Sequence, residues 1–466
     1  AGYPDLYMQF SKANEFNFVP DWYRGIEYPK EQERGYASNE DLYVPGYFEV
    51  DMKKGDTIIF SAGVSEVNTR QLTKMYEDEI KTRTPRTSFY NCLKNSAKQF
   101  YMTNADGHYL FAGYPWFKVR ARDEFIALPG CTLSNHHRPD FEAIMDTAKE
   151  AFTRWMETGE PDKHLQGIDL PDVPLWAAWA IQRYSHDTDV PTARERYGEL
   201  VAQLIDFIID GKHPNLQVDD NGLVRTDGTR QPMSWMDSAR PDGTPLIPRT
   251  GYLVEFNALW YNALMFLLQM YADDKQMQSR VERWQKISDA YAESFAPTFL
   301  NDYGYLYDYV NGSYTDLSVR PNMVIAVGVD HTPLDRRQRK RILDFITREL
   351  LTPKGLRTLS PNSYGYNPWY VGNPEQREKA YYSGSARPWL MGFYCHAYVK
   401  VFGIGGLSFV NRMMIGFEDE MSQGAIGTLS ELYDGNPPFI GRGAVSFAAN
   451  VGEILRVLRL LKNLDV

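Results

Sequence analysis

The sequence predicts a mainly α-helical protein in which an outer ring of helices wraps an inner ring. Three observations favour this fold. Helical segments follow one another from residue 86 onward, some half-exposed and others apolar on every side, and the long loops between them are unequal and rich in aromatic residues. Twelve helices in six pairs would form an (α/α)6 toroid, whose loops at one end surround a pocket. A stacked helical solenoid also uses helix pairs, but the sequence lacks the repeat of fixed length that it requires.

The first 65 residues show the pattern of β-structure instead. Apolar residues alternate through 47–51 and 56–62, which flank the turn-forming sequence KKGD and predict a hairpin. Two or three strands do not make an independently stable sheet. Because the chain also opens on Ala-Gly, we interpret 1–65 as the C-terminal part of a β-rich domain whose earlier strands are absent. We expect a charged linker helix over 66–85 and the helical toroid over 86–466.

The helical segments are of two kinds. Segment 276–300 places its large apolar residues on one stripe, as a solvent-facing helix does. Segment 254–273 is apolar almost all round and must be buried on several sides. We expect the outer ring to contain helices of the first kind and the inner ring helices of the second. The twelve predicted helical segments are 86–103, 122–134, 139–157, 171–186, 190–211, 254–273, 276–300, 321–329, 335–352, 384–403, 405–422 and 444–464.

Charge and composition exclude several classes of function. The formal net charge of −10 argues against a nucleic-acid partner. We interpret the basic run 336–341 as the solvent-exposed face of an outer helix. The 31 Tyr and 10 Trp residues suit sugar binding, although core packing explains most of them. The three cysteines are widely spaced, which indicates neither a disulfide framework nor a zinc site. With no apolar run long enough to span a membrane and no signal peptide in this sequence, a cytoplasmic setting is expected.

The candidate chemistry lies in loop carboxylates set among aromatic residues. Asp237 follows Trp235 and precedes a Pro/Gly-rich loop, and Glu255 stands at the start of the most apolar helical segment. Glu431 lies in a second loop with aromatic and glycine neighbours. For any one acid, a helix cap or an ordinary loop carboxylate is the alternative. A pair of carboxyl groups, one protonated and one ionised, is what cleavage of a glycosidic bond requires.

Short motifs in a fixed order connect these acids to a known family. They are EDLYVPGYFE (40–49), AGYPWF (112–117), ARDEFIALPG (121–130), DVPLW (172–176), SWMDS (234–238), PRTGYLVEFNALWYNAL (248–264), GYLYD (304–308), GLRTLSP (355–361), PWLMGFY (388–394) and LSELYDG (429–435). Together they resemble the glucosidase part of glycogen debranching enzymes and their bacterial relatives. The resemblance implies an (α/α)6 catalytic toroid preceded by a β-rich domain. It also implies hydrolysis of α-1,6-linked glucose at a trimmed glycogen branch, with inversion at the anomeric carbon and without a cofactor or metal.

The resemblance assigns roles to the two carboxyl groups. Asp237 matches the general acid and Glu431 the general base. An acid must hold its proton near neutral pH, so we expect an apolar setting, with Trp235 and Met236 as walls, to raise the pKa of Asp237. Glu431 should stay ionised and hold a water on the opposite face of the sugar. The carboxyl groups of an inverting pair are about 6.5–9.5 Å apart, and we expect that separation here.

The resemblance also places substrate-binding residues around the pocket: Arg122, Asp123, Tyr114, Trp116, Asp172, Trp235, Arg249, Glu255 and Trp389. Arg122 and Asp123 match an Arg-Asp pair that binds hydroxyls of the terminal glucose, with a structural salt bridge as the alternative. The aromatic residues would stack on sugar or form walls, with core packing as the alternative. Glu255 shares a helix face with Asn262, so both could point to the cavity, and Glu255 is a rival acid.

Two segments depart from the motifs of the family. Relatives usually carry Trp-Gly-Arg-Asp where this chain has Arg-Ala-Arg-Asp at 120–123, and Tyr-His-Gln-Gly-Thr-Val-Trp-Pro-Trp where it has Tyr-Tyr-Ser-Gly-Ser-Ala-Arg-Pro-Trp at 381–389. The substitutions bear on substrate choice and rate. Alternatives are therefore a glucoamylase-like hydrolase of α-1,4 ends, a trehalase-like enzyme, or a glucan-binding protein that has lost activity. The amylase-like transferase half of bifunctional debranching enzymes is absent from this sequence.

Overall fold

A computed structural model describes residues 2–464 of the chain. The chain divides into two compact units. One runs up to Pro85 and includes Val371–Asn373, and the other runs from Arg86 through Tyr370 and resumes at Pro374. The predicted mainly helical class is confirmed, since the larger unit is built from helices with short strands in its loops.

The smaller unit consists of three two-stranded antiparallel pairs and two helices. Its elements are β1 (Tyr7–Phe10), β2 (Glu15–Asn17), β3 (Asp21–Glu27), α1 (Pro29–Glu33), β4 (Asn39–Val44), β5 (Tyr47–Glu49), β6 (Phe60–Gly63) and α2 (Leu72–Thr82). The pairing is nested: β3 pairs with β4, β2 with β5, and β1 with β6.

The hairpin predicted for 47–51 and 56–62 is therefore wrong. Each of these two segments pairs with an earlier strand, in the registers Phe16 to Phe48 and Phe10 to Phe60. The physical reason is an aromatic cluster. The ring of Phe48 lies 4.9 Å from the rings of both Phe10 and Phe16, and Phe10 lies 4.9 Å from Phe60, measured between centroids. Alternation in sequence reveals a strand but does not identify its partner.

The helices of the larger unit are α3 (Phe89–Gln99), α4 (Ala121–Cys131), α5 (Arg138–Thr158), α6 (Val173–Asp187), α7 (Val190–Ala193), α8 (Glu199–Ile209), α9 (Val254–Tyr271), α10 (Gln278–Phe299), α11 (Met323–Gly328), α12 (Arg336–Glu349), α13 (Pro374–Ala380), α14 (Leu390–Phe402), α15 (Leu407–Ile415) and α16 (Ala448–Leu464). A π-helical turn joins α7 to α8. Each of the twelve predicted helical segments contains a helix. The short α13 was not predicted.

Six of these helices form a closed cycle of contacts. Helix α4 packs on α6, α6 on α9, α9 on α11, α11 on α14, α14 on α16, and α16 returns to α4. Helices α4 and α6 are buried over nearly their whole length, as expected for inner elements. Outside them, α10 and α12 bury one stripe each. On α10 the buried residues include Trp284, Tyr291 and Phe295, whereas Val281 and Ile287 of the predicted stripe are only half-buried.

The loops of the larger unit carry short strands: β7 (Tyr101–Asn104), β8 (Gly107–Leu110), β9 (Gly113–Tyr114), β10 (Gln217–Val218), β11 (Val224–Arg225), β12 (Tyr252–Leu253), β13 (Tyr309–Asn311), β14 (Tyr314–Thr315), β15 (Leu351–Thr352), β16 (Gly355–Arg357), β17 (Ala386–Arg387), β18 (Leu432–Tyr433), β19 (Gly441–Arg442) and β20 (Ser446–Phe447). Strands β15 to β19 form one antiparallel sheet in chain order. This sheet sets β17 beside β18, with Ala386 opposite Tyr433, and so brings two distant loops together.

One segment, Leu390–Ser422, is long and apolar enough by composition to cross a membrane. In the structure it is not one helix. A 3-10 turn at Gly403–Gly406 separates α14 from α15, and α14 belongs to the inner cycle, where Phe393 and Tyr394 are buried. Its apolar character is therefore that of a core helix.

Helices α4 and α16 approach each other closely at two glycines. A Cβ atom on Gly130 would lie 1.8 Å from the carbonyl oxygen of Gly452, and one on Gly452 would lie 2.6 Å from the carbonyl oxygen of Ala127. Both obstacles are backbone atoms, which cannot rotate away. The absence of side chains at these two positions is what lets the first and last inner helices meet.

We expect Gly130→Ala to lower the free energy of unfolding by about 3 kcal/mol or more, because the added methyl group must push α16 away from α4. Gly405→Ala is the matched control, since among the described residues no atom lies within 4 Å of a Cβ built there. Urea unfolding of both variants measures the difference. Equal midpoints for the two variants would contradict the close approach of α4 and α16.

Candidate active site

The residues at the N-terminal ends of three inner helices surround a small cavity. Arg120 precedes α4, Trp389 precedes α14, and Phe447 precedes α16. The cavity is lined by Arg120, Arg122, Asp123, Ile126, Trp235, Tyr381, Tyr382, Arg387, Trp389, Phe447 and Ala449. Its volume is about 30 Å³, which holds a water molecule but not a sugar ring. Entry of a sugar therefore requires side chains in this lining to move.

Asp237 is held by two side chains of this lining. Its Oδ2 accepts a hydrogen bond from Arg120 Nη2 at 2.6 Å, and its Oδ1 accepts one from the hydroxyl of Tyr382 at 2.7 Å. Burial acts to raise the pKa of Asp237, but the guanidinium groups of Arg120 and Arg122 and the Tyr382 hydrogen bond outweigh it. The pKa therefore lies below the ordinary value of an aspartate. The expectation that its surroundings raise this pKa is wrong for the unliganded pocket.

Glu431 lies just before β18 and is 2% exposed. Its Oε2 accepts a hydrogen bond from the backbone N–H of Ala444 at 2.8 Å, and its Oε1 lies 3.5 Å from Arg387 Nη1. Burial raises the pKa of Glu431 to about 8, more than these contacts lower it. The expectation that Glu431 stays ionised is therefore also wrong at neutral pH. The pKa of Glu431 is therefore raised and that of Asp237 lowered, so Glu431 is the one of the two that favours its protonated form near neutral pH.

Two side chains connect the carboxyl groups. The guanidinium of Arg387 lies 4.8 Å from the ring centre of Tyr382, whose hydroxyl binds Asp237, while its Nη1 faces Glu431. Arg387 Nε is buried and has no hydrogen-bond partner among the described residues. The charges of Asp237 and Arg120 also act on the pKa of Glu431, which shows that the two acids lie within electrostatic reach of each other.

Arg122 and Asp123, which were predicted to bind hydroxyls of a terminal glucose, both line the cavity and are not paired with each other. Arg122 instead makes a two-pronged ion pair with Asp172, at 2.7 and 2.9 Å, and the indole N–H of Trp176 donates to the same carboxylate at 3.1 Å. The buried Oδ2 of Asp123 forms an ion pair with Arg120 Nε at 3.2 Å, but it accepts no hydrogen bond within residues 2–464. Because a buried acceptor without a donor is costly, this oxygen is suited to a ligand hydroxyl.

Trp235 and Trp389 form one wall of the cavity. Their rings meet edge to face, with centroids 5.2 Å apart. The indole N–H of Trp235 donates to Asn322 Oδ1 at 2.7 Å, and the backbone N–H of Trp389 donates to Asn450 Oδ1 at 2.9 Å. Each wall residue is therefore fixed by a buried amide side chain, one at the start of α11 and the other on α16.

Arg249 and Glu255 lie behind this wall in a buried ion cluster. Arg249 donates to both oxygens of Glu255 and, at 2.6 and 3.1 Å, to both oxygens of Asp308. Asp308 in turn accepts a hydrogen bond from Asn322, the partner of Trp235. None of these ions is among the described residues that line the cavity. The cluster anchors Trp235, and because both oxygens of Glu255 are held by Arg249, the structure does not support Glu255 as a rival acid.

Asn262 also departs from expectation, because it does not point to the cavity with Glu255. Its amide donates to Gln182 Oε1 at 2.8 Å, and its Oδ1 accepts from the backbone N–H of His331. Tyr114 and Trp116 are likewise outside the cavity lining that the described residues form. Tyr114 lies in β9 and stacks on Phe100 with centroids 5.8 Å apart, whereas Trp116 is 43% exposed.

Seven residues of the cavity lining were not among the predicted site residues: Arg120, Ile126, Tyr381, Tyr382, Arg387, Phe447 and Ala449. Four of the seven, namely Arg120, Tyr381, Tyr382 and Arg387, lie in the two segments that depart from the family motifs. Three of them contact a candidate catalytic carboxyl group: Arg120 and Tyr382 contact Asp237, and Arg387 contacts Glu431. The departures were therefore a usable signal for the site. Within residues 2–464, no three His, Cys, Asp or Glu side chains are grouped as a metal site needs.

Comparison with known families decides the membership of the chain. The amylo-alpha-1,6-glucosidase family matches residues 94–456, well over half of the sequence, and a family described as glycogen debranching enzyme N terminal matches residues 1–59. The chain belongs to the amylo-alpha-1,6-glucosidase family. This family member is 24% identical over 237 residues to the glycogen debranching enzyme of Saccharomyces cerevisiae. The match covers 42% of the chain but only 15% of the yeast protein.

Solved structures show where else the fold of this amylo-alpha-1,6-glucosidase family member occurs. A GH63 mannosylglycerate hydrolase from Thermus thermophilus, solved with Tris and D-glycerate, is similar with a TM-score of 0.53 and 12% identity, covering 79% of this chain and 99% of that one. The same enzyme with glucose gives 0.53 and 13%, covering 78% and 99%. An uncharacterized conserved protein from the same organism gives 0.51 and 14%, also covering 78% and 99%. At these identities the likeness concerns the fold alone.

We expect Glu431→Gln to become progressively more stable than the wild type as pH rises. Since the folded-state pKa of Glu431 is raised from 4.5 to about 8, the stability that its protonated form contributes is complete below 4.5 and is lost as pH rises through 8. Glutamine stays neutral throughout. Each pH unit between the two pKa values is worth about 1.4 kcal/mol. Thermal unfolding of both proteins from pH 5 to pH 9 measures the effect, and a difference that does not change with pH would refute the raised pKa.

Proposed function

We propose that the chain is an inverting glycoside hydrolase that releases glucose from α-glucans, with α-1,6 branch points of glycogen or related glucans as its substrate. The observation that carries the proposal is that side chains of one cavity hold both carboxyl groups: Arg120 and Tyr382 donate to Asp237, and Arg387 faces Glu431. The closed cycle of six helices supports an (α/α)6 toroid over 86–466, after a β-rich part over 1–65 and a linker over 66–85. The family name supports the α-1,6 linkage.

Inverting hydrolysis needs an acid that protonates the glycosidic oxygen and a base that takes a proton from water. In the closed pocket the proton is on Glu431, because Arg120 holds Asp237 ionised. A sugar that separates Arg120 from Asp237 removes a cation that lowers the pKa of Asp237, while burial still raises it. Arg387, now 3.5 Å from Glu431, lowers the pKa of that residue if it moves closer. The two arginines thus decide which carboxyl group is the acid, and we assign that role to Asp237 in the occupied pocket.

Polar groups of the cavity suit the hydroxyls of a terminal glucose. Asp123 Oδ2, which is ion-paired with Arg120 but accepts no hydrogen bond among the described residues, can accept one from a sugar hydroxyl, and Arg122, also in the lining, is held by Asp172. The edge-to-face pair of Trp235 and Trp389 supplies an apolar wall. These features recognise a sugar ring but do not distinguish an α-1,6 bond from an α-1,4 bond or from trehalose. The linkage is therefore assigned on the family match alone.

A second candidate function is glucan binding without hydrolysis. Two specific observations favour it. Both candidate catalytic carboxyl groups face arginine side chains that the family motifs lack, and the cavity of about 30 Å³ is smaller than a glucosyl ring. A protein in which Arg120 never leaves Asp237 would bind glucan ends on its aromatic surfaces and would not cleave them.

Hydrolysis of isomaltose-type, maltose-type and trehalose substrates by the wild type and two variants tests the proposal. We expect Asp237→Asn and Glu431→Gln each to reduce kcat by about 10²–10⁴-fold, because each removes a proton-transfer group. NMR of the first product should show β-glucose, the inverted anomer. Asp242→Asn, an exposed acid of the same loop, is the matched control and should retain the wild-type rate. Full activity in both variants rules out the mechanism, and binding without turnover in the wild type supports the second candidate.

Replacement of Arg120 tests whether its charge sets the pKa of Asp237, the proposed general acid. We expect Arg120→Trp, which installs the residue of the family motif, to move the alkaline limb of the kcat/KM profile to higher pH. Without the guanidinium, Asp237 has a higher pKa and keeps its proton longer. Arg120→Lys keeps the charge and should leave the limb near its wild-type position. If the two variants have the same profile, the charge of Arg120 does not govern the acid.

A further inference from the structure

A second cavity of about 360 Å³ opens at the other ends of the same inner helices. Its lining comes from the C-terminal halves of α4, α6, α14 and α16, whereas the carboxyl groups of the candidate active site lie near the N-terminal ends. We call it the basal pocket and define it by Arg183, His186, Lys400, Arg456 and Arg459. Its volume lies within the range of sites that bind small molecules.

The basal pocket is positively charged in a chain whose formal net charge is −10. Four basic residues line it, and three carboxylates face them: Asp330 pairs with Arg183 and Lys400, Asp187 with Arg459, and Glu453, which is not in the lining, with Arg456. Cations at helix C-termini are ordinary, because they complement the helix dipole and the free carbonyl groups there. Lys400 acts in that way, donating to the carbonyl oxygens of Gly328 and Val329. A capping role therefore accounts for part of the charge.

Arg183 is not accounted for by capping. Its Nη2 donates to Gln182 and to Asp330, but its Nε is buried and has no hydrogen-bond partner among residues 2–464. The side chain is only 10% exposed. A buried guanidinium N–H without an acceptor costs free energy that an anionic ligand would recover. This N–H belongs to a residue that lines the basal pocket.

The neighbouring groups indicate that the positive charge is not fully compensated. Burial, followed by the charges of Arg183, Lys400 and Arg456, lowers the pKa of His186 to about 3. Burial and the charges of Arg183 and Arg456 also lower the pKa of Lys400 well below its ordinary value. His186 is nevertheless more than half exposed in its side chain and lies 3.2 Å from Asp330.

We propose that the basal pocket binds a small phosphate-bearing anion, of the size of a hexose phosphate. A phosphate presents several acceptor oxygens, which can serve the guanidinium groups of the basal pocket and the N–H of Arg183 that lacks an acceptor better than a single carboxylate does. Pro129, Leu133 and Leu460 supply an apolar wall for the remainder of such a ligand. The inference does not depend on the proposed hydrolase activity.

Isothermal titration of the full chain with inorganic phosphate, glucose 1-phosphate and glucose tests the proposal. We expect both phosphates to bind at sub-millimolar concentration. Tighter binding of glucose 1-phosphate identifies a phosphate ester as the ligand class, and equal binding identifies free phosphate. We expect His186→Glu to weaken both at least tenfold, because its carboxylate competes for the cations. His108→Glu makes the same exchange at another exposed histidine and should have no effect.

Two further variants distinguish binding at the basal pocket from binding at the other cavity and from loss of folding. Asp237→Asn should leave phosphate binding unchanged, because Asp237 belongs to the other cavity. Asn463→Glu, also exposed and in the lining of the basal pocket, replaces His186→Glu if that variant unfolds at a lower temperature than the wild type. The proposal is overturned if neither phosphate binds the wild type at millimolar concentration. It is also overturned if binding survives both pocket variants, or is lost in Asp237→Asn.

Discussion

The constraint on which the larger unit depends is the closed cycle of inner helices. Because α4 must meet α16 through Gly130 and Gly452, the first and last inner helices of the chain are fixed side by side. The loops before these helices then converge at one end, and the segments after them at the other. The aligned helices favour negative charge near their N-termini and positive charge near their C-termini. The basic residues of the basal pocket follow this preference, whereas the candidate active site places both carboxyl groups and arginines at the N-terminal ends.

Within the candidate active site, arginines place positive charge near helix N-termini, where the helix dipoles favour negative charge. Arg120 and Arg387 each face one of the two carboxyl groups, and burial raises the pKa of both; the outcome differs because Asp237 has closer donors and cations than Glu431 has. Asp237 keeps some exposure and two close donors, so its charge is supported. Glu431 is almost fully buried, with a backbone N–H at 2.8 Å and a guanidinium at 3.5 Å, so its proton is retained. The same two residue types thus reach opposite protonation states through local geometry.

Sequence patterns predicted the helices well, because helix burial is a local property. The stripe on α10 and the all-round apolar α9 can be identified within single segments. The choice of Asp237 and Glu431 depended on motifs shared with a family, since no local pattern connects positions so far apart. Their protonation could not be predicted, because it is set by Arg120, Tyr382 and Arg387, which fold in from other loops.

The ion-pair and strand partners of individual residues could not be predicted. Arg122 binds Asp172, fifty positions away in sequence, and no local pattern connects the two. The partners of the strands at 47–51 and 56–62 were also predicted wrongly. Alternation identified the strands, but the aromatic side chains that choose their partners lie elsewhere in the chain.

The nested pairing of the smaller unit bears on how it assembles. Since β3 and β4 are separated by the shortest loop, closing that pair loses the least chain entropy. Once it has formed, β2 and β5 are already held near each other, and then β1 and β6. We therefore expect the three strand pairs to form from the centre of the segment outward: β3 with β4 first, β2 with β5 next, and β1 with β6 last.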